Sequence, residues 1–278
     1  MTEGAAVSAR QDHAAGKPTS RARRLRLVRP PIPTTAAMGY GKMPTDRPKP
    51  GIWSFNHPIN LGGRCAIAVN IQRYYGMCFK SPFDWWHTPL LGLIGLLSDN
   101  DPERLYDPQS LAEVDLWGGT EVFNRRYGIQ FTHSFPKDED KRLTKDWQAD
   151  PLNKFRLVTK RLWEYFVSAD EPDARILFFR LATAVDLHES TVLHISDLLR
   201  LKHALAKIFS RSDFRIVLIN YPSLEAEASI WHQKHLASFV FATVDHSSQM
   251  DWKGPPKEWD AAFSRMPFQY DATFAVSA

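Results

Sequence analysis

The stretch FNHPINLGGRCAIAVNIQRYY, residues 55–75, decides the fold. It begins as an apolar run through Phe55, Ile59 and Leu61, passes the paired Gly62 and Gly63, and continues with Ile67, Ala68 and Ile71 at helical spacing. That pattern predicts a strand over 55–61, a tight turn, and a helix over 66–75. The glycines permit the turn and a close backbone approach to a ligand. Cys65 then stands at the first helical turn. There the positive end of the macrodipole favours thiolate over thiol, and backbone N–H groups can hold an oxyanion. Two other readings stay open at this point: a small apolar residue packing the turn, or a Gly-Gly phosphate cradle. The spacing matches neither the dinucleotide nor the P-loop fingerprint.

Outward from this unit, short apolar runs at 77–83, 128–133, 175–180, 214–220 and 238–244 read as strands. They alternate with helical periodicity at 90–97, 153–168 and 196–210. Alternation of this kind predicts an α/β fold: a mostly parallel sheet flanked by helices in three layers. Ligands of such sheets bind beyond the carboxyl ends of the strands. The residues that follow the expected strands are Gly62, Gly63 and Cys65, then Asp84, His133, Arg180, Asn220, and Asp245 with His246. A thiol, imidazoles, carboxylates and a guanidinium would gather along one edge, although loops begin with polar residues in any protein.

Of the 278 residues, 44% are hydrophobic, enough for a large core, and the net charge is +4. That charge is unevenly placed. Residues 1–50 hold 10 Lys or Arg against 3 Asp or Glu, which leaves −3 for the rest. The expected organisation is a disordered basic tail over 1–48, broken by Pro30, Pro31 and Pro33, ahead of one α/β domain over 49–278. Nucleic-acid binding is not expected of the folded domain, since the basic excess belongs to the tail. A chain beginning at residue 49 is expected to keep its melting temperature within a few degrees of the full chain, because the tail lacks a periodic apolar face. A larger fall on calorimetry would show the tail packing on the domain.

No run approaches the roughly 18 apolar residues of a membrane span, and no signal-peptide pattern is present. With two cysteines and no disulfide framework, free thiols in the cytoplasm are expected. Cys78, between Met77 and Phe79, reads as core. Trp231-His232-Gln233-Lys234-His235 lacks acidic or Cys partners at metal spacing, so neither metal nor cofactor is expected.

Three elements together carry a resemblance. Asn60-Leu61-Gly62-Gly63-Arg64-Cys65, the helix ending Arg73-Tyr74-Tyr75-Gly76, and Ser81-Pro82-Phe83-Asp84-Trp85 with Thr88-Pro89 and Gly92 are dense over about 35 residues. They resemble a bacterial family of papain-like cysteine peptidases whose pattern is Leu-Gly-x-x-Cys, a short helix, then Pro-Phe-Asp-Trp. Further elements extend the likeness to about residues 55–265. They are Phe131-Thr132-His133-Ser134-Phe135, the helix Lys154 to Phe166, Ile176 to Arg180, and Glu258-Trp259 with Phe263. Ser134 stands where the pattern has an acidic residue.

The resemblance implies a cysteine-dependent hydrolase, peptidase or acyl transferase, with Cys65 as nucleophile and His133 as base. Asp84 or Asp245 would orient the imidazole, although Asp84 reads rather as a cap for the turn leading to Thr88-Pro89. By their place at the strand ends, Gly62, Gly63, Arg180, Asn220 and Asp245 are candidate contacts for a small-molecule, peptide or glycan substrate; an ion pair of Arg180 with Asp84 or Asp186 is the equally weighted alternative, and Trp85 either lines a pocket or wedges the core. The alternative is a non-peptidase α/β protein that binds a phosphorylated or glycosylated ligand at the same edge. In that case Arg180 would be an unpaired guanidinium facing an open crevice. An inert interaction scaffold is a third reading, and it leaves the polar strand ends unexplained.

Overall fold

Strand β1 (Ser54–Phe55) leads through Asn56 into β2 (His57–Asn60), and α1 (Cys65–Tyr75) follows the glycine turn, as the opening stretch predicts. The computed structural model describes residues 52–76, 80–116, 118–230, 234–245 and 253–271. The expected tail and its boundary near residue 48 lie outside the described residues, as do Cys78 and His246. The remaining elements are α2 (Leu90–Asp99), β3 (Leu111–Leu116), β4 (Gly119–Asn124), β5 (Ile129–Gln130) and α3 (Asp150–Val167). Then come β6 (Arg175–Leu181), α4 (Ile195–Ile208), β7 (Asp213–Ile219), α5 (Pro222–Ile230), β8 (Phe239–Ala242), α6 (Pro256–Ser264) and β9 (Gln269–Tyr270).

The fold is α/β. A four-stranded parallel sheet has the order β2-β6-β7-β8, and β1 pairs in parallel with β9. Register runs from Arg175 opposite Asp213 to Leu181 opposite Ile219. Successive side chains of a strand point to opposite faces, and here each face has its own core. Ile176, Phe178, Ile216 and Leu218 pack in one cluster with Leu93 and Ile94 of α2, Phe166 of α3 and Leu201 of α4. Leu177, Phe179, Val217 and Ile219 pack in the other with Ile67 and Ile71 of α1 and Trp259 and Phe263 of α6. Burial on both sides is why β6 and β7 read as continuous apolar runs rather than alternating ones. Each fully buried aliphatic or Phe side chain of this kind contributes roughly 1.5–3 kcal/mol.

Two expected strands need correction. Of the expected strand 77–83, residues 77–79 lie outside the described residues, and among 80–83 there is no strand, since Pro82–Trp85 is a 3-10 turn. Its start carries a capping arrangement: Ser81 Oγ accepts from the Phe83 N–H, and the Asp84 carboxylate accepts from the Ser81 N–H. Proline at the first helical position completes it. The segment 128–133 contributes only β5, and that strand belongs to an antiparallel sheet of order β3-β4-β5. The hairpin β3-β4 turns through Gly118, whose φ of 75° is left-handed.

Candidate functional site

The site is built from the end of β2 upward. Gly62 (φ 82°) and Gly63 (φ 108°) both adopt left-handed backbone that side chains disfavour. At Gly63 a methyl group would lie 2.0 Å from the Leu181 carbonyl oxygen, so only glycine lets the turn approach the end of β6. Asn60 is fully buried, and its Oδ1 accepts from the Gly62 N–H at 2.7 Å. The chain then enters α1 with Cys65 as its first residue, half-buried.

Burial pushes the Cys65 thiol up, while its own N–H, the Ala66 N–H and the Arg64 charge pull it down without offsetting the burial. This corrects the expectation of a resting thiolate. The helix terminus supplies the stabilising donors the sequence implies, but the sulfur sits in a less watery place than a generic helix N-terminus provides. Among the described residues no hydrogen bond joins Cys65 to an imidazole.

His133 is not at the end of a parallel strand. It lies exposed in the turn after β5, with its ring edge-on to the half-exposed Trp85 at 6.1 Å. The segment that carries it runs antiparallel to residues around His87: the His87 N–H donates to the Gln130 carbonyl at 3.1 Å, and the Gln130 N–H returns the bond at 3.0 Å. His87 is therefore the imidazole that sequence reading passed over. Its pKa is pushed down to about 4, first by burial and then by the positive charges of Arg64, His133 and Arg180. The antiparallel bridge between His87 and Gln130 places residue 87 beside the segment that leads to His133. In the run Trp85-Trp86-His87-Thr88 nothing local distinguishes His87, whose place depends on its pairing with Gln130.

Asp84 is buried, and the hydrogen bonds it makes are to Asn60 Nδ2 at 3.1 Å and the Ser81 N–H at 3.1 Å, not to His133. Burial raises its pKa to about 7, against the lowering effects of those two donors and of Lys80. The two shifted groups oppose each other in their effect on stability. Asp84 holds its proton more tightly folded than unfolded, so its contribution is full below about pH 4 and is lost as pH rises through about 7. His87 resists protonation when folded, so its contribution is present above about pH 6.5 and is lost as pH falls through about 4.

Arg180 is fully buried and committed within the protein. It pairs with Asp186 at 3.0 Å, donates to the Tyr221 hydroxyl at 3.1 Å and the Leu61 carbonyl at 3.3 Å, and also donates to the Thr88 carbonyl. Asp186 in turn accepts from Tyr221, from the Thr183 N–H, and from the Leu90 N–H at the head of α2. Expected as a substrate-binding guanidinium, Arg180 instead ties β6, α2 and the turn before α5 into one buried network. Of the two ion-pair partners the sequence offers Arg180, Asp84 and Asp186, the structure takes Asp186, six residues on.

Asn220 (φ 63°) also serves the fold. Its Nδ2 donates to the Val244 carbonyl and its Oδ1 accepts from the Val244 N–H, which fixes the chain leaving β8. Asp245 is exposed at the end of a described segment. Among the described residues no three His, Cys, Asp or Glu side chains converge as metal ligands, and no helix is long and apolar enough to cross a membrane.

The contacts at the strand ends are thus narrower than the sequence implies: Asp84 reaches Asn60, Gly62 lies against Phe83 and Thr88, Trp85 meets His133 and His87 bridges Gln130, whereas Arg180 and Asn220 are engaged in holding the fold. Comparison with protein-family models, with curated proteins and with solved structures finds no match to this chain.

Proposed function

We propose that the chain is a cysteine-dependent hydrolase or acyl transferase, with Cys65 as nucleophile and a neighbouring imidazole as base. The observation that supports it is the presentation of Cys65 at the head of α1, straight after a left-handed Gly62-Gly63 turn. We further propose His87 as the base in place of His133, because Arg180 donates both to the Thr88 carbonyl, next in the chain to His87, and to the Leu61 carbonyl, which begins the turn to Cys65. The likeness of residues 55–89 to papain-like cysteine peptidases points to the same chemistry, on a parallel sheet read as covered by helices in three layers.

At neutral pH burial favours the uncharged forms of both groups, so attack begins from thiol and neutral imidazole. The sulfur forms a bond to the substrate carbonyl carbon as its proton passes to imidazole nitrogen. The carbonyl π electrons move onto oxygen, facing backbone N–H groups at the head of α1. Collapse expels the leaving group, which takes the imidazolium proton and leaves an acyl thioester. Trp85 and His133, both exposed beside this path, would form a wall for the substrate.

Stopped-flow release of p-nitrophenolate from p-nitrophenyl acetate tests the assignment of the base. His87→Ala is expected to slow the burst by about 10²-fold or more, the usual scale of a general base, and His133→Ala only a few-fold. The reverse order would return the role to His133. A wild-type protein with no burst, which binds inorganic phosphate in competition with nothing at Cys65, would favour the ligand-binding reading.

A further inference from the structure

The buried carboxylate of Asp84 has no part in the proton transfers above, yet it is one bond removed from the nucleophile's turn. Asn60 Nδ2 donates to Asp84 Oδ1 at 3.1 Å, and Asn60 Oδ1 accepts from the Gly62 N–H at 2.7 Å. The Asn60 amide cannot be reversed without placing its NH2 against the Gly62 N–H, since a backbone N–H only donates. On the far side Asp84 Oδ2 receives the Ser81 N–H at 3.1 Å. Beyond Gly62 the turn is held again, by the Leu181 N–H donating to the Gly62 carbonyl at 3.3 Å. The chain of contacts runs from Ser81 through Asp84 and Asn60 to Gly62, three residues from Cys65.

We propose that Asp84 is a positioning residue that acts through Asn60 on the Gly62-Gly63 turn and makes the presentation of Cys65 depend on pH. A carboxylate accepts both hydrogen bonds with the strength of an ionised acceptor, while a carboxylic acid accepts them weakly and must find an acceptor for its own proton. Ionised Asp84 therefore braces Asn60 against the turn; protonated Asp84 loosens it. The group titrates within the range where such a change matters, since burial has raised it to about 7.

Its surroundings add little competing charge. Lys80, exposed just before the 3-10 turn, is the charged group that weighs on it. Arg64 lies at the head of α1, Arg180 on β6 is neutralised by Asp186, and His133 lies beyond Trp85. Helix α3 meets the turn with Trp163 and Phe166 against Phe83, and its charged residues are exposed. The inference rests on the reading of Cys65 as nucleophile only for its effect on rate, not for the contact itself.

The test follows the Gly62 amide resonance and the rate of Cys65 acylation by p-nitrophenyl acetate from pH 5 to 9, in full-length wild type, Asp84→Asn and Asp84→Glu. Wild type is expected to show the Gly62 amide shifting with a midpoint near 7 and a rise in acylation of about tenfold across it, the scale of one charge-assisted hydrogen bond. Asp84→Asn should abolish both inflections; Asp84→Glu should restore a titration. An amide of Gly62 that does not titrate in wild type would overturn the proposal, whatever the variants do and even if they fail to fold. A Gly62 titration that persists in Asp84→Asn would overturn it equally. Titration of Gly62 without any acylation of Cys65 would uphold the brace and refute the nucleophile, so the two ideas fail separately.

Discussion

Gly63→Ala is expected to cost at least about 3 kcal/mol of folding stability, through two independent penalties. A φ of 108° is unfavourable for any side chain, and the new methyl would fall 2.0 Å from the Leu181 carbonyl oxygen. The obstacle is backbone at the end of a central strand, so no rotamer change relieves it. Either the glycine turn withdraws from β6 or β6 loses its register with β2. Urea unfolding should show the midpoint falling with little change in m-value. Gly62→Ala offers the useful contrast: its methyl would meet the Phe83 Cβ at 3.1 Å and the Thr88 hydroxyl at 3.3 Å, a tight fit but not an overlap. A Gly63→Ala variant as stable as wild type would mean that the turn lies further from β6 than described.

The second large effect is expected at Asp186. Removing one partner of a fully buried ion pair leaves the other charge unpaired, and Asp186→Ala should destabilise by about 3–5 kcal/mol. Arg180 would keep the Tyr221 hydroxyl and the Leu61 and Thr88 carbonyls, all neutral, while the Leu90 and Thr183 N–H groups would lose their acceptor. Replacing both charges, as Arg180→Met with Asp186→Leu, should cost less than Asp186→Ala alone, because no unpaired charge remains buried. A double-mutant cycle measures this directly. If Asp186→Ala proves nearly neutral, the guanidinium must reach water or ligand, which would revive Arg180 as a binding residue.

These two predictions fall on residues of very different legibility. Gly62 and Gly63 announce themselves, because a pair of glycines between an apolar run and a helical one has few uses other than a turn. Strands β6 and β7 were legible for a related reason: burial on both faces makes most of their sequence apolar. The β3-β4 hairpin was missed although Gly118-Gly119 marks its turn. Its strand LAEVDL is exposed along Glu113 and Asp115, so it lacks the apolar density that identified the others. That omission misplaced His133, which depends on β5 and hence on the antiparallel sheet.

Within the candidate site, local sequence carries the signal for turns and caps, and contacts between distant segments leave no such signal. Asp84 as a cap for its own turn follows from Ser81-Pro82-Phe83-Asp84 alone. Its bond to Asn60 spans 24 residues and has no such signal, whereas Asp186, six residues past Arg180, is one of the two ion-pair partners the sequence offers that guanidinium. His87 was overlooked because its importance comes from the register of residues 87 and 130, which no periodicity reveals. The thiolate expected at Cys65 followed from the helix terminus alone, and burial reverses it.

The central claim is that Cys65 carries an acyl group during turnover. Native protein treated briefly with p-nitrophenyl acetate, quenched in acid and mapped by peptide mass spectrometry, tests this most directly. The account predicts one acetyl group per chain, on the peptide that contains Cys65, absent from Cys65→Ser and lost on exposure to hydroxylamine as a thioester is. Acetyl groups spread over lysines, with Cys65 modified only after denaturation and then at the same rate as Cys78, would contradict it.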